Sequence, residues 1–99
     1  MDFNLQSRAD YETWDVSKSA VTGKNGIVVA QEIEAANIGK QVLLEGGNAV
    51  DAAVATALAL CVTEPWMSGL GGGGFMIVYL AKQNMVKVVD FGMISPLQL

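Results

Sequence analysis

Residues 49–63 constrain the fold of this chain more than any other stretch, because they combine a helix signature with almost no polar face. Asn48 precedes the run as a favoured N-cap, and Asp51 stands three residues later as its reciprocal partner. Glu64 and Pro65 end it, since the residue before a proline avoids helical geometry. A helix that is apolar all round needs cover on every side. We therefore predict a fully buried helix whose many alanines allow close approach of neighbouring backbones.

The composition of the whole chain also indicates burial against further protein. Hydrophobic residues make up 52% of the 99 residues and charged residues 16%, whereas a soluble domain usually has ~25% charged residues. A domain of this size buries only a modest share of its surface on folding. We therefore expect much of this apolar sequence to pack against additional protein.

Charge and residue usage exclude several classes of function. The net charge is -4 and the six Lys and Arg residues are scattered, which argues against a nucleic-acid interface. The sequence contains no His, so Ser-His-Asp catalysis and His-ligated metals are excluded within it. The one cysteine, Cys61, lies in an apolar run and is predicted to be a small buried hydrophobe and not a catalytic thiol. No metal site and no cofactor is predicted.

The N-terminal part differs from the rest in being polar and rich in turn-forming residues. We predict that residues 1–25 form an extended arm with Trp14 as its one large anchor. The arm lacks the apolar core of a signal peptide, and the longest apolar stretch, residues 52–62, is shorter than the ~20 residues that span a bilayer. These features predict a cytoplasmic chain without a membrane span. A signal sequence ahead of Met1, with a periplasmic or secreted product, stays open as the alternative.

The remaining elements follow from short apolar runs separated by turn residues. In chain order we predict a turn at 24–26, a short buried strand at 27–30, a helix at 31–45 stopped by the glycines 46–47, and two strands at 75–81 and 85–91 joined by a hairpin loop at 82–84. Two helices on one face of a buried antiparallel sheet make an α+β fold. The other face of that sheet then requires a cover.

The glycine run at residues 71–74 invites comparison with phosphate-binding loops. A Walker loop and a dinucleotide fingerprint both open a helix, whereas Phe75 leads into a predicted strand. A nucleotide site is therefore not predicted. Glycines can adopt positive φ and permit close backbone approach. Two interpretations stay open: a tight connector from a buried helix to a buried strand, or main chain that lines a ligand cleft. Trp66 and Met67 would then be either a cleft wall or core residues.

Three carboxylates are candidate acid–base groups, and none has a partner visible in the sequence. The capping role of Asp51 accounts for it fully, and Glu64 ends a helix. Asp90 ends a strand, a position where carboxylates often act in α+β enzymes. The same lack of a neighbouring base applies to three hydroxyl groups, those of Thr22, Thr56 and Thr63. Residue chemistry alone indicates an α+β segment without a complete active site.

Two motifs stand in a fixed order along the chain. Residues 46–55 read Gly-Gly-Asn-Ala-Val-Asp-Ala-Ala-Val-Ala, and residues 70–76 read Leu-Gly-Gly-Gly-Gly-Phe-Met. Together they resemble two features of the large subunit of gamma-glutamyltransferases. The first is a glycine pair followed by an apolar helix, and the second is a later glycine run that leads into a strand. Residues 25–30 resemble the opening strand of the same domain. The similarity covers about residues 22–96, and the order and spacing of the motifs make it specific.

The resemblance implies the four-layer αββα sandwich of the N-terminal nucleophile hydrolases, of which residues 26–99 would be an incomplete N-terminal portion. It also implies a precursor that cuts itself into a large and a small subunit. The new N-terminal Thr of the small subunit would be the nucleophile, with its own amine as base. That Thr would lie in the downstream remainder of the precursor, so no catalytic residue is assigned here and the chain alone is expected to be inactive. The donor would be glutathione or another gamma-glutamyl compound, and water or an amino acid would resolve the acyl-enzyme.

The end of the second strand departs from the family pattern. Family members carry an Arg in a segment like Asp/Asn-Phe/Ala-Arg-Glu-x-Ala-Pro, and that Arg clamps the alpha-carboxylate of the substrate. Here Gly92 takes the Arg position when Asp90 and Pro96 are aligned. The resemblance thus implies Asp90, Phe91 and Gly92 as substrate-binding residues. The alternatives are an acylase or amidohydrolase with altered acyl specificity, and a truncated chain without catalysis.

Overall fold

The computed structural model describes residues 17–97. Trp14 and most of the predicted arm therefore lie outside the described residues. The elements are helix α1 (Ile33–Leu44), helix α2 (Ala49–Thr63), strand β1 (Phe75–Leu80), a short 3-10 turn (Ala81–Gln83) and strand β2 (Met85–Asp90). The two strands form one antiparallel sheet, so the predicted α+β class is confirmed.

Helix α1 has a defined cap at each end. It begins after Glu32, whose carboxylate accepts a hydrogen bond from the Ala35 N–H at 3.0 Å. At its end, the N–H groups of Gly46 and Gly47 donate to carbonyls of the last turn at 3.1 and 2.9 Å. This pair of bonds, with Gly46 at a φ of 95°, is a Schellman motif. The predicted glycine stop is confirmed.

Helix α2 begins with the predicted capping box. The Asp51 N–H donates to Asn48 Oδ1 at 2.9 Å, and the Asn48 N–H donates to Asp51 Oδ2 at 3.0 Å. At the other end, the Glu64 N–H closes the last turn by donating to the Leu60 carbonyl at 2.8 Å. The predicted span and both end signals of this helix are confirmed.

The two helices pack on each other through small residues. Ala35 and Ala52 are 0% and 4% exposed and are the buried apolar residues of the described part. A Cβ atom placed on Gly39 would overlap Thr56 Oγ1 and would lie 2.9 Å from Val28 Cγ1. Only a residue without a side chain permits this approach. No large side chain in the described part is fully buried, so the core is a thin seam between the helices.

Helix α2 is less buried than its sequence predicts. Val54, Leu58 and Val62 are 45%, 52% and 80% exposed. They recur every fourth residue, on a stripe roughly opposite Ala52, which faces α1. The prediction of a fully buried helix is therefore wrong for the described residues. The physical reason is that α1 covers one side of the helix and nothing in residues 17–97 covers the opposite side.

The strand predicted at residues 27–30 is not formed. The ladder between β1 and β2 is the only one in the part of the chain that the structure describes, so residues 27–30 have no neighbour to bond their N–H and C=O groups. Val28 is half-buried against Gly39, whereas Ile27 and Val29 are 57% and 84% exposed. The prediction of a buried strand is therefore wrong for the described residues, because the run has no pairing partner and is covered by protein at Val28 but not at its neighbours.

The predicted hairpin is confirmed, with its register set by Phe75 opposite Asp90. The connection is the 3-10 turn Ala81–Gln83 followed by Asn84, which has left-handed backbone angles, φ 46° and ψ 49°. The Tyr79 hydroxyl donates to Asn84 Oδ1 at 3.0 Å. Asn tolerates this conformation better than most residues, so the turn and its hydrogen bond reinforce each other.

The two faces of the hairpin differ. Met76, Val78 and Leu80 are half-buried and line a groove with the first turns of α2. The opposite face, here called the open face, consists of five residues that are between 60% and 74% exposed: Phe75, Ile77, Tyr79, Val86 and Val88. The groove is lined by the first turns of α2 and by no residue of α1, and every residue of β2 is exposed. The prediction of a buried sheet with both helices on one face is therefore wrong for residues 17–97, because within them α2 alone approaches the sheet and the open face is uncovered.

Candidate active-site segment at the end of the hairpin

The glycine run and the end of strand β2 lie side by side. The Phe91 N–H donates to the Gly74 carbonyl at 3.0 Å, and the Gly74 N–H donates to the Phe91 carbonyl at 3.3 Å. These bonds continue the antiparallel ladder one pair beyond the strands. Residues 71–74 and 90–93 therefore form one structural unit, here called the strand-end site.

Close contact, and not unusual backbone angles, accounts for Gly73 and Gly74 of this site. A Cβ atom on Gly73 would lie 2.9 Å from both Met93 N and Phe91 O, and one on Gly74 would lie 3.0 Å from the Phe91 ring. The backbone at Gly71, in contrast, has open space where a Cβ would stand. In the described part of the chain Gly46 alone among the glycines has positive φ. The predicted close backbone approach is therefore confirmed at Gly73, whereas residues 71–74 do not use the positive φ that glycine permits.

Asp90 shapes the turn that follows β2. The Gly92 N–H donates to Asp90 Oδ1 at 3.0 Å, which is the side-chain-to-backbone bond of an Asx-turn. A Cβ atom on Gly92 would lie 3.2 Å from the same oxygen. Phe91 is 48% exposed, and its ring lies over Gly74. The site thus presents a carboxylate, an aromatic ring and main-chain groups on an accessible surface.

Two apolar residues ahead of the glycine run are exposed and not packed. Trp66 and Met67 are 75% and 66% exposed. Their interpretation as core residues is wrong for the described part of the chain, because little protein covers them there. Their role as the wall of a cleft stays a prediction.

The two candidate carboxylates at the ends of α2 lie too far apart to act as an acid–base pair. Asp51 and Glu64 stand thirteen residues apart at opposite ends of the helix, about 20 Å at 1.5 Å per residue. Asp51 is engaged in the capping box. Glu64 is 8% exposed, and its carbonyl accepts from Met67 N–H and Ser68 N–H at 3.0 and 2.9 Å. Asp90 therefore is the one of the three candidate carboxylates that lies in the strand-end site.

The hydroxyl and thiol candidates lie on the helices, except for Thr22, which is exposed ahead of α1. Thr56 Oγ1 and Thr63 Oγ1 are buried without a hydrogen-bond partner in the described part of the chain. The Cys61 thiol donates to the Ala57 carbonyl at 3.4 Å. Cys61 is half-buried, so its prediction as a buried small hydrophobe is wrong for the described residues, where α1 covers only one side of the helix.

One titratable group outside the strand-end site has a shifted pKa. The pKa of Glu32 is lowered, chiefly because the Ala35 N–H donates to its carboxylate, with a smaller contribution from the Glu34 N–H. The Thr63 hydroxyl also lowers this pKa, although it lies outside good hydrogen-bond geometry. The shift reflects helix capping, since hydrogen bonds to a carboxylate favour its charged form.

Residues 17–97 contain no group of three or more His, Cys, Asp or Glu side chains arranged to hold a metal ion. The helices of the same residues are too short or too polar to cross a membrane.

The sequence pattern singled out the glycine run that contains Gly73 but did not predict its contact with Met93. Gly73 and Met93 contact each other across the strand end, with Met93 N and Cγ at 2.9 and 3.0 Å from the Cβ position of Gly73. The signal was present in the sequence, because a hairpin register that pairs Phe75 with Asp90 also places the preceding glycines beside the following residues.

Comparison with known proteins gives a consistent result. The gamma-glutamyltranspeptidase family profile matches residues 35–99. The chain is 46% identical over 88 residues to the glutathione hydrolase proenzyme of Bacillus subtilis subsp. natto, covering 89% of this chain and about 15% of that relative's length. It is 50% identical over 71 residues to the acylase ACY 1 proenzyme of Pseudomonas sp. (strain V22), covering 72% of this chain and 13% of that protein.

Similarity of structure agrees with similarity of sequence. The crystal structure of Helicobacter pylori gamma-glutamyltranspeptidase superposes with a TM-score of 0.74 at 40% identity, covering 82% of this chain and 23% of that one. The residues matched by the family profile, 35–99, include both motifs, the capping box of α2 and the glycine run of the strand-end site. The chain belongs to the gamma-glutamyltranspeptidase family.

Proposed function

We propose that this chain is the N-terminal part of the large subunit of a gamma-glutamyltransferase or glutathione hydrolase-like enzyme. The enzyme transfers a gamma-glutamyl group from a glutathione-type donor to water or an amino acid. Transfer runs through an acyl-enzyme on a Thr that autoprocessing of the precursor exposes downstream. The chain's partner is therefore the remainder of its own precursor, and its own contribution is to substrate binding.

One observation supports a binding role for the strand-end site. The ladder pair between Gly74 and Phe91 brings the glycine motif beside Asp90, Phe91 and Gly92, the residues that the family pattern associates with the substrate. Close packing at Gly73 fixes the path of the main chain there. A preorganised surface of this kind positions a donor without the free-energy cost of ordering the surface on binding. We assign Asp90, Phe91 and Gly92 to the donor side of the site.

The layered architecture is part of the same proposal. Residues 26–99 contribute two helices and two strands to an αββα sandwich, and residues 1–25 precede that domain as an arm. The open face of the hairpin supports this assignment, because its five apolar side chains need cover. A second sheet of the sandwich would supply that cover.

A related acylase with altered acyl specificity is the second candidate. It is favoured by Gly92 at the position where the family pattern has Arg, because a glycine has no charge to bind an alpha-carboxylate. The acylase ACY 1 proenzyme is among the relatives at 50% identity, which supports the view that acyl preference varies within the family. A donor without an alpha-carboxylate, such as a glutaryl compound, would suit this site.

The two candidates are separated by assaying the full-length, processed protein with gamma-glutamyl and glutaryl anilides. If the donor carries an alpha-carboxylate, Gly92→Arg should strengthen its binding by about ten- to hundredfold, the equivalent of a charge-assisted hydrogen bond of about 1.5–3 kcal/mol. Gly92→Lys is the matched control, since it adds the charge without the bidentate fork and should recover less.

If the protein without substitutions turns over the glutaryl anilide faster than the gamma-glutamyl anilide, the result would favour the acylase. Failure of both anilides to react in a processed precursor would contradict both candidates.

A further inference from the structure

The four asparagines of the described part differ in the residue that follows them. Asn25 precedes glycine, whereas Asn37, Asn48 and Asn84 precede Ile, Ala and Met. A side chain on the following residue hinders attack of its main-chain nitrogen on the asparagine amide. Glycine has no such side chain, so the Asn25 amide is the least hindered of the four toward attack by the following main-chain nitrogen.

The structure adds to this difference. Asn25 and Gly26 are both exposed and lie outside the helices and strands, and the Gly26 N–H donates no hydrogen bond to another residue in 17–97. The other three are held: Asn37 lies within helix α1, Asn48 Oδ1 accepts the capping bond from Asp51, and Asn84 Oδ1 accepts from Tyr79. Gly26 N is thus both unhindered and free to act as a nucleophile.

We infer that Asn25–Gly26 is a site of spontaneous deamidation in the folded protein. Gly26 N forms a bond to Asn25 Cγ, and the Cγ–Nδ2 bond breaks. The amino group leaves as ammonia together with the proton from Gly26 N. Water then opens the resulting succinimide at one of its two carbonyls, which gives either aspartate or isoaspartate. The reaction needs only water and is faster at alkaline pH, because the attacking nitrogen must lose its proton.

The position gives the modification a structural consequence. Either product adds a negative charge, and isoaspartate also adds a main-chain carbon just ahead of residues 27–30. In that segment Val28 contacts the Gly39 seam between the helices, and the Gly26 α-carbon lies beside Leu43. A longer main chain at residue 25 would displace this contact. Deamidation is therefore expected to lower the stability of aged protein.

The test is peptide mass spectrometry of the purified full-length protein after incubation at neutral and mildly alkaline pH. We expect amide-to-acid conversion at Asn25 well before Asn37, Asn48 or Asn84, with isoaspartate detected by methyltransferase labelling. Gly26→Ala should slow the conversion to the rate of Asn37. That variant fits with little change, because its Cβ would lie 3.3 Å from Leu43 Cδ1, the end of a flexible side chain. Asn25→Gln should stop it.

Two results would overturn the inference. One is conversion at Asn25 no faster than at Asn37 in the same sample. The other is a rate in the folded protein far below that of a synthetic peptide of residues 20–32, which would mean that the folded state protects the site.

Discussion

Gly39 of helix α1 faces Thr56 of helix α2 so closely that a methyl group on the glycine would overlap Thr56 Oγ1. Val28 Cγ1 and the Ala52 carbonyl lie 2.9 and 3.3 Å from the same position. Three neighbours from two other segments therefore meet at one glycine. The seam between the helices depends on this absence of a side chain more than on any large apolar residue.

Gly39→Ala is therefore expected to destabilise the full-length protein by up to about 2 kcal/mol. The cost of overpacking, about 1–3 kcal/mol, exceeds the gain of about 1 kcal/mol in helix propensity. Urea denaturation measures the difference. Thr56→Ala in the same chain should restore part of the loss, because it removes one of the overlapping atoms. Asn37→Ala, exposed on the same helix, serves as the control and should change stability by less than about 0.5 kcal/mol.

Asn48→Ala should cost about 0.5–2 kcal/mol, because it removes the acceptor for the Asp51 N–H at the start of α2. Thermal denaturation of the full-length variant checks this value. Asp51→Ala removes the reciprocal bond, and the double variant should lose less than the sum of the two single losses. An unchanged melting temperature for Asn48→Ala would contradict the capping role.

Gly73→Ala and Gly71→Ala should differ sharply although the two residues belong to one run. The first places a Cβ 2.9 Å from main-chain atoms of Phe91 and Met93, which cannot move aside as a side chain can, whereas the second has open space. We expect Gly73→Ala to weaken donor binding and to cost about 1–3 kcal/mol of stability. Steady-state kinetics and denaturation of both variants measure this. Equal behaviour of the two would contradict the close contact at the strand-end site.

Glu32→Gln should lower stability at neutral pH and have little effect in acid. The folded chain lowers the pKa of Glu32, mainly through the Ala35 N–H. The stabilisation is therefore present above the ordinary glutamate pKa and is lost as pH falls through the lowered value. Denaturation across this range should show the two proteins converging in acid. Glu45→Gln, at the other end of α1, controls for net charge and should not reproduce the loss.

Residues 1–99 expressed alone should aggregate and show no turnover of a gamma-glutamyl anilide. The open face of the hairpin would remain exposed, and apolar patches of this kind promote association. Size-exclusion chromatography and the anilide assay test both parts. Replacing Ile77 and Val88 by Thr should reduce aggregation without restoring activity. A monodisperse, active monomer would contradict the proposal that the chain needs the rest of its precursor.

The features that sequence predicted well are those that depend on neighbouring residues. The capping box of Asn48 and Asp51, the glycine stop after α1 and the bounds of α2 all involve groups within a few residues of one another. Their geometry follows from local hydrogen bonding. The hairpin was also predictable, because two apolar runs flank a short turn.

The features that failed depend on distant partners. Residues 27–30 have the composition of a strand, but strand formation requires a second chain segment that the sequence pattern does not locate. The apolar pattern around Val62 predicts burial, but it does not show which other segment would cover this side chain. The glycines at 71–74 were expected to permit close backbone approach, but the contact of Gly73 with Met93 follows only from the hairpin register. The contacts of the strand-end site were thus not predictable from the sequence pattern, and the substrate-binding role of its residues stays a prediction.

The ladder pair between Gly74 and Phe91 also limits how this part of the sequence can change in length. Residues added within Ala81–Gln83 lengthen a loop and leave the pairing intact. A single residue added within β2 would reverse the direction of every side chain beyond it and would move Gly92 away from its place beside the glycine run. Relatives should therefore tolerate insertions at the hairpin turn and reject them in the strands. We therefore expect the glycine run and the strand end to behave as one two-part motif, with the length of the strands as its fixed spacer.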